Sequence, residues 1–409
     1  MATLPTPSPE AANQSQQLAK IIEQKIIDAG GWLDFATFMH MALYTPLLGY
    51  YSGGTKKFAD VKTGAGDFVT APEISPLFAR TLANQVAQIL VVIQDQTVAN
   101  KPSAQADILE IGAGTGQLAA DLLLDLQQLN QLPNQYFILE VSDYLRQIQL
   151  ETLQKKLPVL IFKKVVWLDA LPTDFVGLIF GNELLDALPV HLIEQTADAL
   201  QERGVSFFNG EFVWQNRPLQ NTLLQNNTKN AVNLHDYVSA YSLPAGYLTE
   251  ACLNATGLMN SLENCIKQGV ILMLDYGFGA AEYYHPQRNT GTLMCHYQHY
   301  AHTNPLINVG LQDITAHVNF TQIAEVALAQ DLTLAGYCNQ ASFLMNCGIL
   351  DILSETSPND MAAYAPLAAA AQKLLSPAEM GELFKVIAFT KNLNIDLISF
   401  KSGDKAHML

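Results

Sequence analysis

The chain is short of charge, of basic residues and of paired cysteines, and each shortage removes a class of protein. Charged residues are only 15% of the 409, too few for a self-repelling disordered chain, while hydrophobic residues at 49% supply a core. Lys and Arg number 22 against 38 Asp and Glu, a formal net charge of −16. Such a surface repels phosphate backbones and disfavours a nucleic acid partner. It suits a cationic substrate such as a basic peptide, or it serves solubility alone. The five cysteines, Cys252, Cys265, Cys295, Cys338 and Cys347, are odd in number, widely spaced and form no CxxC pair. Neither a disulfide framework nor a zinc site is expected, and a reducing compartment fits. Residues 1–17 lack the basic and apolar regions of a secretion signal and the arginines of a mitochondrial presequence, which predicts a cytoplasmic location. Apolar runs such as 89–93 are too short to span a bilayer.

The length allows roughly two to three domains. Residues 1–14 read as a flexible tail. Leu18, Ile21, Ile22, Ile26 and Ile27 recur at helical spacing up to Gly30 and Gly31. A short helix over 35–44 stops before Pro46. Residues 49–72 form a turn-rich loop with Gly49, Gly53, Gly54, Gly64 and Gly66, and a loop of this length is more often functional than idle. Residues 76–93 read as a helix capped by Ser75.

From residue 106 strands and helices alternate. Strands are expected at 108–111, 136–141, 159–162 and 175–180, with helices at 116–129 and 144–157 between the first three. This alternation predicts a mostly parallel sheet with helices on both faces. Residues 190–194, 199–208 and 211–214 read as a meander turning at Asn209-Gly210. A polar loop over 215–230 follows, then a mostly helical stretch over 231–268. The sheet resumes at 270–274, 332–337 and 384–390. The expected fold class is therefore α/β with a Rossmann-like core at 101–189 and 269–400. An N-terminal helical extension with a cofactor-covering loop occupies 15–100, and an inserted strand and helix subdomain occupies 190–268.

The densest chemical signal is the run from Asp107 to Gln117. Gly112, Ala113, Gly114, Thr115 and Gly116 follow a strand and open a helix, so the backbone can turn sharply and approach a ligand. The third glycine comes one position earlier than in the dinucleotide GxGxxG pattern, and Glu110 sits just before the turn. S-adenosylmethionine (SAM) has no pyrophosphate to place there. It has an ammonium that an acidic residue such as Glu110 pairs with. Glu140, ending the second strand, is placed for the ribose hydroxyls. The alternative is that both are ordinary strand-end carboxylates. Asp169, after the third strand, is placed for the adenine amino group by analogy with this fold class.

Asn182 and Glu183 follow the fourth strand, at the carboxyl edge where open α/β sheets bind ligands. Glu183 can accept a bidentate guanidinium bond, Asn182 can orient it, and Asp186 shares their face if a helix starts there. Otherwise Asn182 caps the next segment and Asp186 is structural. Gly66, Asp67, Phe68 and Thr70 belong to a loop that closes over SAM or is rigid. Asp275-Tyr276-Gly277 lines the substrate mouth or is structural. His296, His299, His302 and His317 show no HExxH spacing, so no metal is expected. There is no GxSxG elbow and no P-loop.

Six segments resemble the MidA-like family of SAM-dependent methyltransferases: GYYS at 49–52, GDFVTAPEISPLF at 66–78, GNELLDALPV at 181–190, LDYGFG at 274–279, GTL at 291–293 and DITAHVNF at 313–320. The resemblance as a whole runs across about residues 30–390. Ala79 stands where the family usually has glycine, a packing change. The family includes a mitochondrial protein arginine methyltransferase that assists assembly of respiratory complex I. The resemblance implies SAM as cofactor, S-adenosyl-L-homocysteine as product, and methyl transfer to an arginine-containing protein segment. Two other classes remain: a non-catalytic SAM-binding assembly factor or chaperone, and a nicotinamide-dependent oxidoreductase resting on the glycines alone.

Overall fold

The protein is described by a computed structural model, which describes residues 4–53, 70–98, 106–219 and 233–409. The chain divides into two compact units. One comprises Val69–Leu185, Met259–Gly279 and Val318–Leu409, and the other Met1–Phe68, Asp186–Leu258 and Ala280–His317. This partition differs from the expected one chiefly in two places, besides small shifts at 186–189 and 259–268. The helix Pro76–Val98 joins the sheet-bearing unit, because Leu82, Val86, Ile89, Leu90 and Ile93 are buried in its core. Residues 280–317 join the other unit.

The first unit is built on a mixed sheet. Its seven main strands, in chain order, are Asp107–Ile111, Tyr136–Leu139, Val165–Leu168, Phe175–Asn182, Ile266–Phe278, Thr333–Asn339 and Phe384–Lys391. Their spatial order is sixth, seventh, fifth, fourth, first, second, third. The first five run parallel to one another, and the seventh is antiparallel to both the fifth and the sixth. The short strand Val318–Asn319 pairs with the end of the fifth. The order reverses between the first and fourth strands, where a crevice opens at the carboxyl edge of such sheets. Central strands buried on both faces read as apolar runs, and Leu178, Ile179 and Phe180 are fully buried. The helices Gln117–Gln128 and Asp143–Lys156 make the crossovers.

The third strand is not where the sequence suggested. Val159–Phe162 is a single helical turn, closed by the amides of Ile161 and Phe162 donating to Pro158 O, and Val165–Leu168 is the strand. Val159 and Leu160 are 70% and 78% exposed, so their apolarity did not signal burial. By length and composition, residues 76–96 could also cross a membrane, contrary to the reading of short apolar runs alone. In this protein 61% of the relevant window is buried.

The second unit begins with Pro9–Asp28, a helix capped by Ser8 with proline in its first turn. The expected tail over 1–14 is thus helical from Pro9. Leu18, Ile22 and Ile26 enter a core with Phe35, Phe38, Met39 and Leu43 of Phe35–Tyr44, whose bounds match the sequence reading. A five-stranded sheet carries Leu200–Phe208 at its centre. His191–Gln195 and Leu33–Asp34 share one edge of that strand, and Glu211–Pro218 takes the other. The turn between the last two uses Asn209 and Gly210 at φ +51° and +87°, as expected for a two-residue hairpin. Tyr247–Ala251 is a strand inside the stretch read as helical; it pairs with His191–Gln195 and completes the sheet. Met294–Tyr297, Tyr300–His302 and Asp313–Thr315 form a second, three-stranded sheet.

Candidate functional site

The glycine-rich turn sits at the carboxyl end of the first strand. Gly112, Gly114 and Gly116 have φ of +71°, +52° and +79°, left-handed values that side chains disfavour by about 1–2 kcal/mol each. Gly112 N–H donates to Leu139 O at 3.0 Å and Gly116 N–H to Ala113 O at 2.8 Å, which holds the turn between the first two strands. Ala113 is buried. Thr115 Oγ1 donates to Glu73 Oε1 at 2.5 Å.

Glu140 is 5% exposed at the end of the second strand. Its Oε1 accepts from Ser142 N–H at 3.0 Å and its Oε2 from Gln149 Nε2 at 3.0 Å. Burial raises its pKa, opposed by those hydrogen bonds. The next residue, Val141, is 77% exposed. An oriented carboxylate beside an exposed apolar side chain can take a sugar diol and the face of a base. Arg146 fastens the neighbouring strand ends. It donates to Glu140 O at 2.7 Å, to Leu168 O at 2.6 Å and to Asp169 Oδ1 at 2.7 Å. Asp169 thus follows the third strand as expected, held by Arg146 with its side chain 92% exposed.

Glu110 lies deeper. It is 2% exposed, and its Oε2 accepts from Tyr136 Oη at 2.7 Å. Desolvation pushes its pKa up to about 7, Tyr136 opposes that rise, and the nearby charge of Glu140 adds to it.

The fourth strand ends at Asn182 and the chain turns at Glu183, which has φ +51°. A left-handed glutamate is a strained residue of the kind that collects at functional sites. Asn182 Nδ2 donates to Glu183 Oε1 at 3.1 Å, while Asn182 Oδ1 is buried with no hydrogen-bond partner among the described residues. Asp275, fully buried, holds the turn: its Oδ2 accepts from the amides of Leu184 and Leu185 at 3.0 and 2.7 Å, and its Oδ1 from Tyr276 N–H at 2.9 Å. A Cβ on Gly112 would come within 3.3 Å of Leu184 Cδ1, so this turn abuts the glycine-rich one.

No helix starts at 183–188, so Asp186 does not share a helical face with Asn182 and Glu183. It opens a segment of the other unit, where it is 3% exposed and its carbonyl accepts from Ala316 N–H at 3.0 Å. Thr70 precedes the short helix Ala71–Ile74 without capping it. Gly66, Asp67 and Phe68 lie outside the described residues. Among the described residues, one trio has metal-ligand chemistry. His191 Nδ1 is 2.7 Å from Glu202 Oε1 and 3.9 Å from Asp34 Oδ1. Both Asp34 oxygens already accept from Thr37, so this carboxylate serves as a helix cap.

Sequence reasoning passed over Gln149, Arg146, Tyr136 and Val141. Gln149 left one trace: it falls with Leu145 and Leu153 on the buried stripe of its helix, where a polar residue needs a partner.

These features fit SAM. Three left-handed glycines give a close backbone approach, Glu140 offers an oriented acceptor, Val141 an apolar surface, and Asn182 Oδ1 an acceptor lacking a donor among the described residues. Comparison with known proteins agrees. Residues 81–338 match a family of S-adenosyl-L-methionine-dependent methyltransferases. A Burkholderia thailandensis protein solved bound to S-adenosyl-homocysteine is 44% identical, with a TM-score of 0.90 and 100% of both chains covered. A native crystal structure from the same organism is 42% identical, with a TM-score of 0.87. A mitochondrial protein arginine methyltransferase from Danio rerio is 28% identical over 91% of this chain and 86% of its own length. The human protein of that description is 26% identical over 88% and 81%. With more than half its length matched by the family and a 44% identical relative along its whole length, the chain belongs to the SAM-dependent methyltransferases, as its MidA-like segments implied.

Proposed function

We propose that the chain transfers the SAM methyl group to an arginine side chain of a protein substrate, in the cytoplasm. One observation carries the placement of the site: Asn182 Oδ1, a buried acceptor without a donor among the described residues, on a strained turn abutting the glycine-rich turn. The arginine substrate is supported by relatives described as protein arginine methyltransferases and by the net charge of −16. The compartment is supported by five free thiols, although those relatives are described as mitochondrial.

When bound, SAM supplies an electrophilic methyl group on a sulfonium. The protein's task is position and exclusion of water, with the nucleophile about 3 Å from the methyl carbon. Gly112, Ala113, Gly114, Thr115 and Gly116 form the cradle, Glu140 takes the ribose, Asp169 the adenine amino group, and Glu110, bonded to Tyr136 Oη just before the turn, is the acidic residue for the methionine ammonium. A guanidinium stays protonated, with a pKa above about 12, so its lone pair is scarce. Glu183, pre-oriented by Asn182, accepts its N–H groups and offsets charge developing in the transition state.

The test is mass spectrometry of the proteome with and without the gene, combined with labelled SAM added to a lysate. Loss of a methylarginine and labelling of the same protein are expected. Binding of SAM with no labelled protein favours a non-catalytic assembly factor instead.

A further inference from the structure

We infer that Gln149 is a positioning residue of the cofactor site, a side chain that registers the first three strands against each other. Both amide hydrogens and the amide oxygen have partners. Nε2 donates to Gly114 O at 3.1 Å and to Glu140 Oε2 at 3.0 Å, and Oε1 accepts from Trp167 Nε1 at 2.9 Å. A carbonyl and a carboxylate can only accept, and an indole N–H can only donate, so these partners fix the amide orientation. The three partners come from the glycine-rich turn, the end of the second strand and the third strand.

The chemistry of the site makes the role specific to glutamine. The residue is fully buried, so each lost bond leaves a polar group without water. Glutamate has no donor when ionised and would place a second carboxylate against Glu140. Methionine has the length without the donors. The backbone participates too: a Cβ on Gly116 would lie 3.1 Å from Gln149 Cα, so the helix Asp143–Lys156 seats directly on the turn. Displacing Gln149 therefore moves the Glu140 carboxylate and the Gly114 carbonyl together. This rests on the reading that Glu140 and the glycine-rich turn hold SAM.

The test titrates SAM by calorimetry into the full chain and its variants. Gln149→Met is expected to bind SAM roughly ten- to a hundred-fold more weakly, the loss of a hydrogen bond to a charged group. In methylation assays its KM for SAM rises by a similar factor, while kcat at saturating SAM stays within about threefold. Gln149→Glu is expected to bind poorly at alkaline pH and to recover as pH falls, because the introduced carboxyl group, once protonated, regains a donor toward Glu140. The charged groups facing that pair are Glu140 itself, Glu110 and Arg146, so the recovery is read as a ratio to the unmodified chain at each pH. Gln149→Met binding SAM within twofold of the unmodified chain overturns the inference alone. If Gln149→Met does not fold, a Gln149→Glu ratio independent of pH overturns it. An unmodified chain without SAM affinity overturns the cofactor reading, and this inference with it.

Discussion

Asp275→Asn is the substitution whose cost follows most directly from geometry. The native carboxylate accepts three backbone amides: Leu184 and Leu185 on Oδ2, and Tyr276 on Oδ1. Asparagine offers one oxygen. If that oxygen keeps the first two amides, its NH2 group faces the Tyr276 N–H, donor against donor. Hydrogen bonds to a charged group are worth about 1.5–3 kcal/mol, neutral ones about 0.5–1.5, and a buried unmet donor costs about 1–3. Two weakened bonds and one orphaned amide amount to about 3–5 kcal/mol, a large part of a typical domain stability of about 5–15 kcal/mol. Relaxation of the strained Glu183 returns some of this at the expense of the Asn182–Glu183 geometry. Urea unfolding followed by circular dichroism reads the stability, and methylation below the transition reads the geometry. A midpoint shift of that size, with turnover falling in the fraction that stays folded, is expected. A variant within about 1 kcal/mol of the unmodified protein and equally active refutes the reasoning.

Glu110 gives a pH signature. Its folded-state pKa of about 7 lies above the ordinary value of 4.5, so the native state binds the proton more tightly. The stability this contributes is present below about pH 4.5 and is lost as pH rises through about 7. Glu110→Gln should therefore gain on the unmodified chain by up to about 3 kcal/mol between about pH 5 and 8, and a pH-independent difference contradicts this. Gly116→Ala forces a side chain to φ +79° and toward Gln149 Cα, so SAM affinity should fall at least tenfold in calorimetry. Unchanged affinity would show that the helix yields freely. Asn182→Ala removes the orienting amide from Glu183 and should lower kcat roughly ten- to a hundred-fold in the labelled-SAM assay. Equal turnover removes the Asn182–Glu183 pair from the site.

Much of the fold was legible because its signals are local. The glycine-rich turn, the Asn209-Gly210 hairpin and the bounds of Phe35–Tyr44 follow from residues adjacent in the chain. The errors came where distant partners decide. Tyr247–Ala251 became a strand by pairing with His191–Gln195, some fifty residues earlier, which no periodicity within 231–268 announces. The run at 159–162 looks like a strand by composition, but Val165–Leu168 holds the register with Tyr136–Leu139. In the site, Asn182 and Glu183 were visible as polar residues after an apolar strand. Asp275 and Gln149 were not separable from ordinary buried polar residues, since their importance lies in amides, carbonyls and carboxylates brought to them by folding.

The most direct test is calorimetric titration of SAM into the unmodified chain and into Gly112→Val, with folding of both checked by circular dichroism. The account predicts saturable 1:1 binding to the first. It predicts none to the second, whose β-branched side chain would occupy the close approach at a left-handed backbone angle. A folded, unmodified chain that takes up no SAM, or a folded Gly112→Val that binds it equally well, contradicts the account.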